Sequence, residues 1–301
     1  MGNRRLRSAT NFFRFSPLCL QLRLLPKWVF LSLGVNGLLA ALLLGVSLHP
    51  SSLPAASSGS ALADSSHAAS VPPPQSLAAE LGPRHQLSYN QWVDVLAQEA
   101  KAAAERPPKR LTVLAGDSIS LWFPNDLLPL NRAWLNQGIS GETSTGLLKR
   151  LDLLDSTKPE TIFVMIGIND LIRGADDSTV LDNEEQIVRY LNDEHPQSQI
   201  VVQSILPHAG KQVTWEGRDR LLSISNSRIR ALNKELKAIA DAEDVYFLDL
   251  YPLFADADGN LRPELTTDGL HLSPKGYQVW STALQLYSQI TLEPAKKEAS
   301  Q

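Results

Sequence analysis

Leu111-Thr112-Val113-Leu114-Ala115 runs directly into Gly116-Asp117-Ser118-Ile119-Ser120. The first five residues are uncharged and rich in β-formers, the pattern of a strand buried on both faces. A glycine breaks the run, and a serine follows where a helix would begin. The same succession repeats along the chain. Short apolar runs recur at Thr161–Ile166, Ile200–Leu206 and Val245–Leu250, with a weaker one at Ala133–Asn136. Helix-patterned stretches separate them, at 143–154, 179–194 and 218–242. In the last of these, Ser225, Ile229, Leu232, Leu236 and Ile239 keep a helical stripe. Upstream, Ser88-Tyr89-Asn90-Gln91 has the form of a capping box. Tyr89, Trp92, Leu96, Ala100 and Ala103 then share one face until Pro107-Pro108. Downstream, Ser273-Pro274 opens a final helix with Tyr277, Trp280, Leu284 and Tyr287 on one side. Strands alternating with helices predict an α/β fold with a parallel sheet covered on both faces. In such sheets ligands bind beyond the C-terminal ends of the strands. The loops after residues 115, 136, 166 and 206 are therefore where chemistry is expected.

The polar groups in those loops are of matching kinds. Ser118 stands at the end of the first strand, with its Oγ and its own N–H facing the expected site. An ordinary reading is a helix N-cap, a position that serine favours. After the second strand comes Asn136-Gln137-Gly138-Ile139-Ser140-Gly141-Glu142-Thr143-Ser144. Its two glycines let the backbone approach a ligand and aim an N–H at it; a plain tight turn is the alternative. After the third strand comes Ile166-Gly167-Ile168-Asn169-Asp170. The Asn169 amide can donate to a developing oxyanion, or the Asn-Asp pair can simply form a turn. Near the C-terminus stands Asp268-Gly269-Leu270-His271. An Asp and a His three apart can face each other across one turn, the carboxylate holding Nδ1–H and leaving Nε2 as a base.

Each piece is ordinary alone; together they supply a nucleophile, a base, an orienting carboxylate and three oxyanion donors. On Gly116-Asp117-Ser118, the Gly141 block, Gly167-x-Asn169-Asp170 and Asp268-x-x-His271, in that order, the sequence resembles the SGNH or GDSL hydrolases, a family of serine esterases and lipases. The likeness covers about 111–290. It implies a flavodoxin-like, three-layer α/β/α sandwich with Ser118 as nucleophile, His271 as base and Asp268 as its orienting partner. It also implies an oxyanion hole of the Ser118 and Gly141 N–H groups and the Asn169 amide, with Gly138 as the fallback glycine. Ile119 replaces the leucine of the family name. The implied activity is hydrolysis of carboxylic esters, without metal or organic cofactor; no long apolar lid segment is evident in the sequence, so small acyl groups are expected rather than long chains. The implied substrate is a small-molecule ester or an acylated glycan or lipid. Acyl transfer to or from envelope polysaccharide, O-deacetylation, and lysophospholipase or thioesterase activity are alternatives, and a non-catalytic binding module is the reading outside catalysis.

The rest of the chain reads as an address. Residues 1–27 hold six Lys or Arg and no acid. Of 28 basic and 32 acidic residues, this leaves 22 against 32 in the body, so the net −4 hides a basic leader on an acidic domain. Nothing suggests nucleic-acid binding. Trp28 to Leu48 is uncharged, and 21 residues of helix span about 31 Å, near the hydrocarbon thickness of a bilayer. With cations before it, this is expected to be a signal-anchor with a cytoplasmic N-terminus. A cleaved secretory signal is the alternative, although Ala61-Leu62-Ala63, which has the form of a cut site, lies more than a dozen residues past the apolar run; a buried soluble helix is the third reading. The Ser/Ala/Pro-rich 49–84 reads as a flexible linker, 85–292 as the hydrolase domain, and 293–301 as a polar tail. The single Cys19 excludes an internal disulfide framework.

Bland readings suit the remaining features. Asp256-Ala257-Asp258-Gly259-Asn260 starts like a calcium loop but has Leu261 and Thr267 where Gly and Glu belong, so a turn is expected. His195 and His208 are expected in loops, His208 in a solvated one with lining of the pocket as the alternative, Trp122 and Phe123 in the core rather than as an acyl wall, and Glu184-Glu185 on a solvated helix face.

Overall fold

The structure, a computed structural model, describes residues 87–293. The expected leader (1–27), membrane anchor (28–48), linker (49–84) and all of the tail but Glu293 lie outside the described residues. Among the described residues, no helix is long and apolar enough to cross a membrane.

Five strands form one parallel sheet: β1 (Leu111–Gly116), β2 (Ala133–Gly138), β3 (Thr161–Met165), β4 (Gln199–Gln203) and β5 (Tyr246–Leu248). Their order is β2-β1-β3-β4-β5, the doubly wound order of flavodoxin-like sheets. β1 is buried at every residue, as its uninterrupted apolar run requires. Alternate residues serve opposite faces. Leu114, Phe163 and Met165 pack with Phe123, Tyr277 and Trp280. Val113, Ala115, Ile162 and Val164 pack with Ala100, Leu147, Leu151 and Ile187.

The helices are α1 (Tyr89–Glu105), α2 (Ser118–Leu121), α3 (Ser144–Leu148), α4 (Ile168–Ile172), α5 (Asp177–Glu194), α6 (Arg218–Leu222), α7 (Asn226–Ala242), α8 (Tyr251–Phe254) and α9 (Pro274–Tyr287). α1 opens on the expected capping box, Ser88 and Gln91 bonding reciprocally. Its buried stripe is Trp92, Leu96 and Ala100, while Tyr89 is exposed. Two expected helices are broken. The 143–154 stretch forms α3 and then a separate 3-10 turn, Leu151–Leu154. The 218–242 stretch divides into α6 and α7, because Ser225 is no member of the stripe but the N-cap of α7, its side chain accepting from the Arg228 N–H. β4 and β5 are also shorter than their apolar runs. Beyond Gln203 the backbone turns away to bond elsewhere: the Ile205 N–H donates to Asn233 Oδ1 at 2.8 Å and the Ile205 carbonyl accepts from Asn233 Nδ2 at 2.9 Å.

Candidate active site

The C-terminal edge of the sheet collects the polar groups. Ser118 lies two residues past β1, Gly141 three past β2 and Asn169 four past β3. Asp268 and His271 come from the turn before α9. Ser118 Oγ lies 3.1 Å from His271 Nε2, and His271 Nδ1 lies 2.7 Å from Asp268 Oδ2. Asp268 Oδ1 also accepts the Leu270 and His271 N–H groups, at 2.9 and 2.8 Å. Burial alone would raise this carboxyl. The hydrogen bonds from the His271 ring and from these two N–H groups outweigh it and hold Asp268 below the usual range. When Nδ1–H donates to the Asp268 carboxylate, Nε2 is the ring nitrogen that can accept from the Ser118 hydroxyl.

The loop after β4 supplies no polar group to this line but braces it. The Thr214 and Trp215 N–H groups donate to the Asp268 carbonyl, and the Ala209 N–H donates to that of Gly269. The burial of His208 serves the same loop. Its Nε2 lies 2.6 Å from the Ile224 carbonyl and its Nδ1 accepts the Gly210 N–H. The solvated-loop expectation thus fails for His208; His195 follows the last residue of α5 as its C-cap and is also buried, at 5% exposure. Burial lowers both imidazoles.

The two candidate glycines separate on geometry. The Gly138 N–H already donates to Asn136 Oδ1 at 3.0 Å. A Cβ there would fall 2.4 Å from the Leu121 nitrogen and 2.8 Å from the Asp117 oxygen, so Gly138 is small to let α2 lie against β2. Gly141 takes φ +73°, the left-handed region that favours glycine. Its N–H, like that of Ser118, has no hydrogen-bond partner among the described residues. Asn169 Nδ2 gives one hydrogen to Asp117 Oδ2 at 3.2 Å and has a second to offer.

Other side chains brace or border the site in ways their sequence positions did not assign. Asp117 accepts the Ile119 N–H with its other oxygen, and burial pushes its carboxyl up to about 7. α2 is one turn, too short for a large helix dipole; Tyr277 pins it by donating to the Ile119 carbonyl at 3.0 Å. Trp122, half-buried, lies against His271 with ring centroids 4.3 Å apart, whereas Phe123 is in the core against Tyr277 and Trp280. Trp122 also borders a mostly apolar groove of about 950 Å³, walled by Trp92 and Leu96 of α1 and by Leu121, Trp134 and Tyr277. The opening of a calcium-like loop is a turn, in which Asp256 Oδ1 accepts the Asp258 and Asn260 N–H groups. Among the described residues no cluster of three His, Cys, Asp or Glu is placed to share a metal ion. Glu185 is on a solvated face, but Glu184 is not: it is 2% exposed.

Residues 114–279 match the model of the GDSL-like Lipase/Acylhydrolase family. The chain is similar to platelet-activating factor acetylhydrolase IB subunit alpha1 of Bos taurus, 30% identical over 145 residues. That stretch covers 48% of this chain and 58% of the relative, so the chain spans under two thirds of the relative's length. It is also similar to a solved Streptococcus pneumonia protein provisionally named a platelet activating factor. There the identity is 28% and the TM-score 0.59, over 66% of this chain and 93% of that one. A GDSL-like lipase from Bacteroides thetaiotaomicron shares the fold at 21% identity and TM-score 0.53, over 64% of this chain and 98% of that one.

Proposed function

The chain belongs to the GDSL-like lipase/acylhydrolase family, and from that premise we propose that it hydrolyses carboxylic esters of small acyl groups through an acyl-enzyme on Ser118. The observation that carries this reading is the line from Ser118 Oγ to His271 Nε2 to Asp268, at 3.1 and 2.7 Å. His271 takes the Oγ proton as Oγ attacks the ester carbonyl. The N–H groups of Ser118 and Gly141 and the free Asn169 amide hydrogen receive the oxyanion. His271 then returns the proton to the departing alcohol. Water, deprotonated by the same ring, attacks the acyl-enzyme and releases the acid. Asp268 stays ionised and holds the imidazole in the tautomer that accepts at Nε2. Gly138, its N–H engaged, takes no part.

Two observations support a substrate class. The Bos taurus relative is named an acetylhydrolase, which favours an acetyl-sized acyl group. The apolar groove is bordered by Trp122, whose ring lies against His271, which suits a substrate with a bulky, largely apolar portion. The basic leader and the uncharged 28–48 segment support a domain anchored on the extracytoplasmic side of a membrane.

The test is release of p-nitrophenol from a chain-length series of p-nitrophenyl esters, with a fluorophosphonate probe alongside. Acetyl and propionyl esters are expected to turn over fastest. Ser118→Ala is expected to abolish both turnover and labelling; a Ser118→Ala protein that keeps its rate removes the nucleophile assignment.

A further inference from the structure

Gly141 and Asn169 reach the site from different strands, and those strands are not neighbours. β1 lies between β2 and β3, so no ladder hydrogen bond sets the distance between the two loops. Oxyanion donors act only when each is within hydrogen-bond reach of the same atom. Something outside the sheet must therefore hold one loop against the other.

The turn at α4 makes that connection. Asp170, buried directly after Asn169, accepts the Ser144 N–H at Oδ2 (2.9 Å) and the Ser144 hydroxyl at Oδ1 (2.6 Å). Arg173, one residue past α4, donates from Nη2 to the Gly141 carbonyl at 2.5 Å. The β2 loop is thus gripped at residue 141 and at residue 144 by a turn whose own second residue is Asn169. Asn183 of α5 backs the grip by donating to the Ser144 hydroxyl at 2.9 Å.

We infer that Asp170 and Arg173 are positioning residues that set the Gly141–Asn169 spacing of the oxyanion hole, Arg173 by holding the Gly141 carbonyl and Asp170 by holding Ser144. The inference rests on the proposed hydrolase reading of this same site. It accounts for an exposed arginine bonded to a backbone carbonyl, a contact of small value to stability at the surface but next to the one glycine with a positive φ and an open N–H in that loop.

The test uses the full chain carrying Arg173→Met, Arg173→Lys, Asp170→Asn or Ser118→Ala. The readouts are steady-state kinetics on p-nitrophenyl acetate and inhibition by phenylboronic acid, whose serine adduct is tetrahedral. A displacement of about 1 Å can cost 10²-fold, and loss of a whole donor about 10²–10³. Arg173→Met is therefore expected to lower kcat by about 10- to 100-fold with KM within about twofold. It should weaken phenylboronic acid by a similar factor, and Arg173→Lys should recover part of both. Asp170→Asn should fall further; if that variant does not fold, the Arg173 pair decides. Unchanged kcat in Arg173→Met beside an inactive Ser118→Ala overturns this inference and leaves the hydrolase reading standing. A rise in KM with no change in phenylboronic acid affinity also overturns it, by making Arg173 a substrate contact. Activity in Ser118→Ala overturns the hydrolase reading itself.

Discussion

Replacing Glu184 with Gln changes stability in a pH-dependent way whose sign and size follow from the structure. Glu184 sits on α5 at 2% exposure, and its Oε2 has no hydrogen-bond partner among the described residues. Burial, and then the charge of Asp170, push its carboxyl from 4.5 up to about 8. Between those values the folded chain keeps a proton that the unfolded chain has released. Stability from this group is therefore full below about pH 4.5, declines as pH rises, and is fully lost above about pH 8. Each pH unit in the window removes about 1.4 kcal/mol. From pH 5 to pH 8 the ceiling is thus about 4 kcal/mol, reduced to the extent that water enters by local opening. Glutamine has the same shape and no proton to lose. The stability of Glu184→Gln minus that of the wild type should grow from pH 5 to pH 8 and level off above. Asp117, also raised by burial, titrates in both proteins and cancels in the difference. At about 2–4 °C per kcal/mol for a domain near 200 residues, the melting temperatures should diverge by several degrees. Urea unfolding at pH 5, 6, 7, 8 and 9 measures it directly. A difference that stays constant across that range would refute the reasoning, because it would mean that Glu184 titrates alike in both states.

The two glycines of the β2 loop should fail differently. Gly138→Ala drives a methyl into backbone of α2 and should cost about 1–3 kcal/mol or more. Gly141→Ala meets only Arg173 Nη2 at 3.4 Å and should cost about 1 kcal/mol for its backbone angle while lowering kcat at least tenfold. Melting temperature and kcat on both proteins check this, and a Gly138→Ala protein that melts like wild type contradicts the packing account. Asp268→Asn removes the acceptor that selects the His271 tautomer. It should lower kcat by roughly 10⁴, read on p-nitrophenyl acetate, with far less change in melting temperature; a rate near wild type would show that the carboxylate does not orient the ring.

Local pattern carried a good part of this protein. The five strands, the capping box at Ser88, and the positions of Ser118, Asn169, Asp268 and His271 were legible because each depends on near neighbours: an apolar run, a cap, a turn of three or four residues. Helix continuity was less so. The stripe through 218–242 hid the break at Ser225, since a serine that caps and a serine on a helix face look alike until its hydroxyl has an N–H to accept from.

What the linear order could not decide was everything that depends on which segment lies opposite. Glu184 and Glu185 are adjacent and chemically alike, yet one is buried and the other is partly exposed and paired with Arg189, because α5 packs one side against the sheet layers. Gly138 and Gly141 are both glycines of one loop, and only the position of Asn136 and α2 shows that the first has its N–H engaged and no room for a side chain. Trp122 meets His271 across about 150 residues of chain. The chemistry of each group was written in its residue type; its partners, its burial and hence its ionisation were settled when the sheet edge brought distant loops together.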